Sequence, residues 1–161
     1  MKNASYILWI LLGLSLSAVG ATRSDLGGTW VLDHGNTAVN GAPLEGQRSN
    51  LHSTISIAYD ENRFVIKSSF SPIQREYVVD GTERVSDSIG SIYTAKWEGP
   101  SIVIDEQFNT NTPFGAVSIT SHEVWSLSED GKSLTRSLSS QNSQGNLIAT
   151  EVYNRTDAPS H

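Results

Sequence analysis

Ala116-Val117-Ser118-Ile119-Thr120-Ser121-His122-Glu123-Val124-Trp125-Ser126-Leu127 is the stretch on which the fold class turns. Val117, Ile119, Trp125 and Leu127 occupy alternate positions, and Ser118, Thr120 and His122 fill the gaps. A period of two is that of an extended strand with one buried face, because successive side chains point to opposite sides. The following Glu129-Asp130-Gly131-Lys132 supplies the residues a tight turn requires, and alternation then resumes at Leu134.

The same grammar runs outward in both directions. It predicts strands at 28–33, 51–59, 63–70, 73–80, 89–97, 101–108, 116–127, 133–140 and 147–154. Asp60-Glu61-Asn62, Glu98-Gly99-Pro100 and Asn142-Ser143-Gln144-Gly145-Asn146 separate neighbouring runs as short turns. No long stretch of residues 22–161 places apolar side chains at helical spacing. Consecutive hairpins without crossover helices make a meander, and a meander this long protects its edges best by curling on itself. The expectation is therefore an all-β, single antiparallel up-and-down β-barrel of about 8–10 strands, with a two-sheet β-sandwich as the alternative. Residues 34–50, with Gly35, Gly41, Pro43 and Gly46, read as one long connection, either a lid over a barrel mouth or a loose insertion. A smaller irregular patch is expected at 109–115.

The N-terminus has the three parts of a secretory signal. Lys2 is the basic start, an apolar run follows from Tyr6 to Leu16, and Val19-Gly20-Ala21 offers small residues for cleavage. The run is shorter than the roughly 20 apolar residues that span a bilayer. Residues 1–21 are thus expected to be a cleaved signal peptide and 22–161 one barrel domain, secreted or periplasmic, with no stable membrane anchor after cleavage. The chain has no cysteine, which excludes disulfides, thiol catalysis and thiolate metal sites. Its formal charge is −6, and losing Lys2 with the signal leaves −7. An acidic chain with scattered Lys and Arg lacks the electrostatic footprint of a nucleic-acid binder.

Alternation also assigns faces. Leu51, Ile55, Ile57 and Tyr59 belong together, as do Phe64, Ile66 and Phe70; Ile89, Tyr93, Ala95 and Trp97; and Ile102, Ile104 and Phe108. Several polar side chains share the apolar parity. Arg75 lies with Tyr77, Glu123 with Trp125, Arg136 between Leu134 and Leu138, and Glu151 between Ala149 and Tyr153. Buried charges must be paired or solvated. Three outcomes stay open for these four: exposure at a rim, an internal ion-pair network, or a cavity that takes a polar head group. The candidate cavity is Arg75, Tyr77, Tyr93, Glu123, Trp125, Arg136, Glu151 and Tyr153.

Catalytic and metal motifs are missing. The histidines His34, His52, His122 and His161 form no ligand spacing, and no Gly-x-Ser-x-Gly elbow or phosphate-binding loop occurs. Neither a metal nor a cofactor is expected. Glu123 and Glu151 can be imagined as an acid–base pair, but pairing with Arg136 is the more ordinary arrangement.

Gly28-Thr29-Trp30-Val31-Leu32-Asp33 resembles the opening Gly-x-Trp of lipocalin-type barrels. Tyr93-Thr94-Ala95-Lys96-Trp97-Glu98-Gly99 with Ile102-Val103-Ile104, and Glu123-Val124-Trp125-Ser126-Leu127-Ser128 with Asp130-Gly131-Lys132-Ser133-Leu134-Thr135, extend the resemblance to small bacterial exported lipocalin-like domains. The resemblance implies a tryptophan across the closed end and a small hydrophobic or amphipathic ligand inside. The related fatty-acid-binding proteins hold a carboxylate with an Arg-x-Tyr near the C-terminus. Here Glu151-Val152-Tyr153 takes that place, while Arg75-Glu76-Tyr77 has the spacing in a middle strand.

Overall fold

The computed structural model describes residues 25–44, 53–60, 62–112, 115–143 and 145–156. Among them there is no helix, and every regular element is a strand. The strands are β1 (Gly28–Leu32), β2 (Ala38–Val39), β3 (Ala42–Pro43), β4 (Thr54–Tyr59), β5 (Arg63–Ser68), β6 (Ser71–Val78), β7 (Arg84–Val85), β8 (Ile92–Glu98), β9 (Ser101–Thr112), β10 (Gly115–Leu127), β11 (Ser133–Asn142) and β12 (Gly145–Arg155). They form one antiparallel sheet in the order β6-β5-β4-β1-β12-β11-β10-β9-β8-β7. Sequence neighbours pair from β4 to β6 and from β7 to β12, and β1 joins the two runs by pairing with β4 on one side and the last strand, β12, on the other. That join of first strand to last curls the meander into an up-and-down barrel wall.

The wall has one break. Edge strands β6 and β7 share no ladder. Across this gap the Val78 amide donates to the Tyr93 hydroxyl at 3.0 Å, and the Gly81 amide donates to the Ala95 carbonyl at 2.8 Å. Pro72 lies on edge strand β6, a place where a proline removes no ladder bond from the interior of a sheet.

Inside the curl sits one core cluster that includes Trp30, Ile55, Ile57, Phe64, Tyr77, Ile102, Ile104, Trp125 and Leu134. These are the side chains of the inward parity, drawn from both halves of the sheet. Trp30 is fully buried. Its indole Nε1 donates to the Leu26 carbonyl at 3.1 Å, and the Arg155 guanidinium lies 4.4 Å over its ring. The aromatic plate is thereby held flat at one end of the core, with a cation–π contact on its outer side.

Four details differ from the alternation reading. Residues 34–50 are not one unstructured connection: β2 and β3 form a hairpin, and β2 continues along the edge of β12, with Val39 opposite Ala149. Its two-residue turn is Asn40-Gly41, both with positive φ (49° and 78°), the geometry that matches the twist of paired strands. Residues 45–52, including Leu51 and His52, lie outside the described residues. Phe70 does not join Phe64 and Ile66 inside: β5 ends at Ser68 and Phe70 is 52% exposed in the turn that follows. A register shift between Ile66 and Ser68 breaks the parity there. Ile89 lies in a turn before β8 rather than in a strand, and 109–112 prolong β9 instead of leaving it.

Candidate functional site: a buried ion network between two cavities

The site is assembled by register. On the inner face Trp125 of β10 stands opposite Arg136 of β11, and Arg136 stands opposite Glu151 of β12. Glu123 and Tyr153 are each two residues farther along their strands, so they lie on the same face as diagonal neighbours. From the far side of the curl, β6 contributes Arg75 and Tyr77, opposite Ile66 and Phe64 of β5. Strand β6 is remote from β10 along the sheet, so contacts between them cross the interior.

Glu123 is the hub and is almost fully buried. Its Oε1 accepts 2.7 Å bonds from Arg75 Nη2 and Arg136 Nη2. Its Oε2 accepts from Arg136 Nε at 3.0 Å, from the Trp125 indole at 3.0 Å and from Arg75 Nη1 at 3.4 Å. Arg136 then binds Glu151 through Nη1, at 3.0 and 3.2 Å to the two oxygens, and the Tyr153 hydroxyl donates to the same carboxylate at 2.7 Å. On the other wing Arg75 Nε donates to the Tyr77 hydroxyl at 2.7 Å. That hydroxyl donates to Glu106 at 3.1 Å, and Ser91 donates to Glu106 at 2.5 Å. Among the described residues no buried side-chain polar atom lacks a partner.

Burial alone would push the Glu123 carboxyl up, but the Arg75 and Arg136 guanidiniums outweigh it and hold it at about 2. The Tyr77 hydroxyl is pushed up by burial, against the pull of Arg75. Tyr153 is pushed up by burial and by the neighbouring Glu151 carboxylate. Both phenols are therefore neutral donors at ordinary pH. Neither carboxylate of the imagined acid–base pair is free, since Glu123 and Glu151 share Arg136 as counter-ion.

Aromatic rings brace the polar hub. Trp125 packs edge-on to Phe64 at 5.8 Å and stacks on Tyr153 at 6.5 Å, while Tyr77 meets Tyr93 edge-on at 4.9 Å. The Arg136 guanidinium lies 5.5 Å over the Trp125 ring.

Two cavities of about 340 Å³ each share Arg75, Ile89 and Arg136 in their walls, so the network forms the partition between them. One is lined by Ile55, Ile66 and Ile73 with Trp125, Glu151 and Tyr153. The other is lined by Phe108, Ile119, Leu138 and Leu147 with Glu106 and Glu123. Of the residues read from sequence, Arg75, Trp125, Arg136, Glu151 and Tyr153 face the first cavity, and Glu123 faces the second. Tyr77 and Tyr93 line neither: Tyr77 supports Arg75 from behind, and Tyr93 bridges the gap in the wall. Alternation missed Glu106 and Ser91 as members, although Glu106 shares parity with Ile102, Ile104 and Phe108, and Ser91 with Tyr93.

A groove of about 430 Å³ lies over the opposite face of β8–β11, where His122 and Asp105 meet at 2.7 Å. Both side chains are about half exposed, so this pair is a solvated contact on the outside of the wall.

No family model matches the chain, and no curated protein does. Among solved structures the chain is similar to the ileal bile acid-binding protein of zebrafish, complexed with cholic acid. The match has a TM-score of 0.52 at 14% identity and covers 81% of this chain and 98% of that one. At that identity the likeness speaks for the fold: the chain has the architecture of a lipocalin-like antiparallel β-barrel.

Proposed function

We propose that the protein is an exported binding module that holds a small hydrophobic or amphipathic molecule inside its barrel. The observation that carries this reading is the first cavity. Its volume of about 340 Å³ falls in the range of small-molecule sites, and it combines isoleucine and aromatic walls with a cluster of convergent polar groups at one side. An apolar body would lie against Ile55, Ile66 and Ile73, with a polar end at Glu151 and Tyr153. The zebrafish neighbour was solved with cholic acid, an amphipathic molecule, and that supports a ligand of the same broad kind here. Export rests on the signal-like character of residues 1–21.

The chemistry favours binding over catalysis. Every carboxylate of the network has a guanidinium partner, and the two phenols stay protonated, so none is poised to take or give a proton. Native mass spectrometry of the protein purified from its own host tests the proposal. The expected result is a mass increment of a few hundred daltons that organic extraction releases as a defined compound. Protein that is consistently free of any adduct, and that takes up no added amphiphile, would overturn it.

A further inference from the structure

Among the described residues six large hydrophobic side chains are exposed: Phe70, Ile73, Val85, Ile92, Leu147 and Ile148. Scattered singly, such residues are ordinary on a protein surface. Here they gather at one end of the wall. Successive turns of an up-and-down meander alternate between its two ends. The β5–β6, β7–β8, β9–β10 and β11–β12 turns therefore share one rim, together with the β2–β3 hairpin at the same end of β1. Phe70 lies in the first of these turns, with Ile73 just beyond it on β6. Val85 and Ile92 flank the second, and Leu147 and Ile148 follow the fourth.

Charge is distributed in the opposite way. Residues 35–44, 68–73, 85–92, 108–119 and 138–148 make up this rim, and Asp87 is the only charged side chain in those stretches. The turns at the other end carry Asp60, Asp80, Glu98, Glu129, Asp130 and Lys132. Between the apolar tips of the rim stand mostly Ser, Thr, Asn, Gln and Gly. Such an end can enter a boundary of low dielectric with little cost from buried ions, while its hydroxyls and amides still find hydrogen-bond partners. Both cavities reach the same rim, the first at Ser71 and Ile73 and the second at Phe108 and Leu147.

We infer that this rim is a docking face for a lipid surface without net charge, a zwitterionic phospholipid layer into which Phe70, Val85 and Ile148 sink. Apolar tips on separate turns around a mouth suit a fluid surface, which closes around each of them, whereas a folded partner needs one continuous patch. The net charge of −6 opposes anionic lipid, so apolar contact and not charge drives the approach. A few side chains at this depth give reversible attachment and no anchor. The docking face stands whether or not the interior holds a ligand.

Flotation with phosphatidylcholine vesicles, using protein purified from its own host, tests this. Wild type should float with the vesicles, equally at about 0.1 M and about 1 M salt, and no better with vesicles containing phosphatidylglycerol. Phe70→Ser, Val85→Ser and Ile148→Ser combined should weaken vesicle binding about tenfold or more. These three side chains are 52%, 66% and 59% exposed and line neither cavity, so the fold is kept, as circular dichroism checks. The N-terminal apolar run is the same in both proteins, so the difference between them reads the rim. Wild type that stays off the vesicles, or a folded triple variant that floats equally, would overturn the inference. Binding that requires phosphatidylglycerol and is lost in salt would do the same. A dimer that the triple substitution dissolves, in protein that ignores vesicles, would assign the rim to a second copy and overturn it too. The lipid and salt dependence of the wild type decides the matter even if the variant misfolds.

Discussion

Glu123 shows how one residue can be both legible and decisive. Its place in the alternation with Ile119, Trp125 and Leu127 put a charge on the inner face, and the structure answers with two arginines at 2.7 Å. Removing its charge leaves Arg75 and Arg136 short of a shared counter-ion. Glu123→Gln should therefore cost about 3 kcal/mol of unfolding free energy, read from urea melts at pH 7. The pH dependence has a definite sign. The folded carboxyl is held at about 2, below its usual 4.5, so the folded state binds that proton less readily than the unfolded chain. The stabilisation is fully present above about pH 4.5 and is lost as pH falls towards about 2. Glu123→Gln should show a flatter stability profile across that window than the wild type; equal slopes would remove Glu123 as the titrating group. Partners were harder to read than positions. Parity places Glu106 and Ser91 inward too, yet only the curl of the sheet brings β6 across to β9 and β10 and turns separate inward charges into one network.

At the scale of elements, the long central strands were legible and the short ones were not. Strands β8 to β12 alternate over most of their length and meet in tight turns, and Tyr93, Ala95, Ile102, Ile104, Trp125, Leu134 and Tyr153 lie inside as alternation places them. The hairpin β2–β3 has only two residues in each strand, too few to show any period. Its signal was the dipeptide Asn40-Gly41, and its anchors are to distant residues. The Asn40 amide donates to the Ile148 carbonyl at 2.7 Å. The Asn40 side chain accepts from the Ile148 amide at 2.9 Å, and Thr37 accepts from the Val152 amide at 3.1 Å. Phe70 failed for a different reason, because the register shift between β5 and β6 is a property of the pairing and not of either strand alone. The hairpin offers a clean test. A Cβ at Gly41 meets no neighbour within 4 Å, but the backbone there has φ of +78°, which a β-branched residue tolerates poorly. Gly41→Val should speed hydrogen exchange at the Asn40 and Ile148 amides by about tenfold, while the global melting temperature moves by only a few degrees. Unchanged exchange at both amides would mean that the turn does not hold the hairpin to β12.

The whole molecule is a curled wall with a seam, and the seam explains why the interior needs a polar centre. Strands β6 and β7 leave an edge on each side of the gap, and the backbone alone does not close it. Arg75 and Tyr77 on one edge strand reach across to Glu123 and Glu106 on the far wall, and Tyr93 takes the Val78 amide at the gap itself. A meander and its curl follow from alternation and turns, but a missing ladder between two strands has no counterpart in either strand's sequence. The network that ties the seam also divides the interior and leaves room on both sides, which is what gives a ligand somewhere to sit. Ser68 lines the first cavity at the end of β5 without belonging to the core cluster, so it can be enlarged at small cost to the fold. Titration calorimetry of ten-carbon amphiphiles, decanoate, decanol and decylammonium in turn, into wild type and Ser68→Trp tests interior binding most directly. One-to-one binding in the wild type that weakens about tenfold or more in a folded Ser68→Trp is the result predicted. Equal affinity in the two proteins would place the amphiphile somewhere other than this cavity and contradict the account.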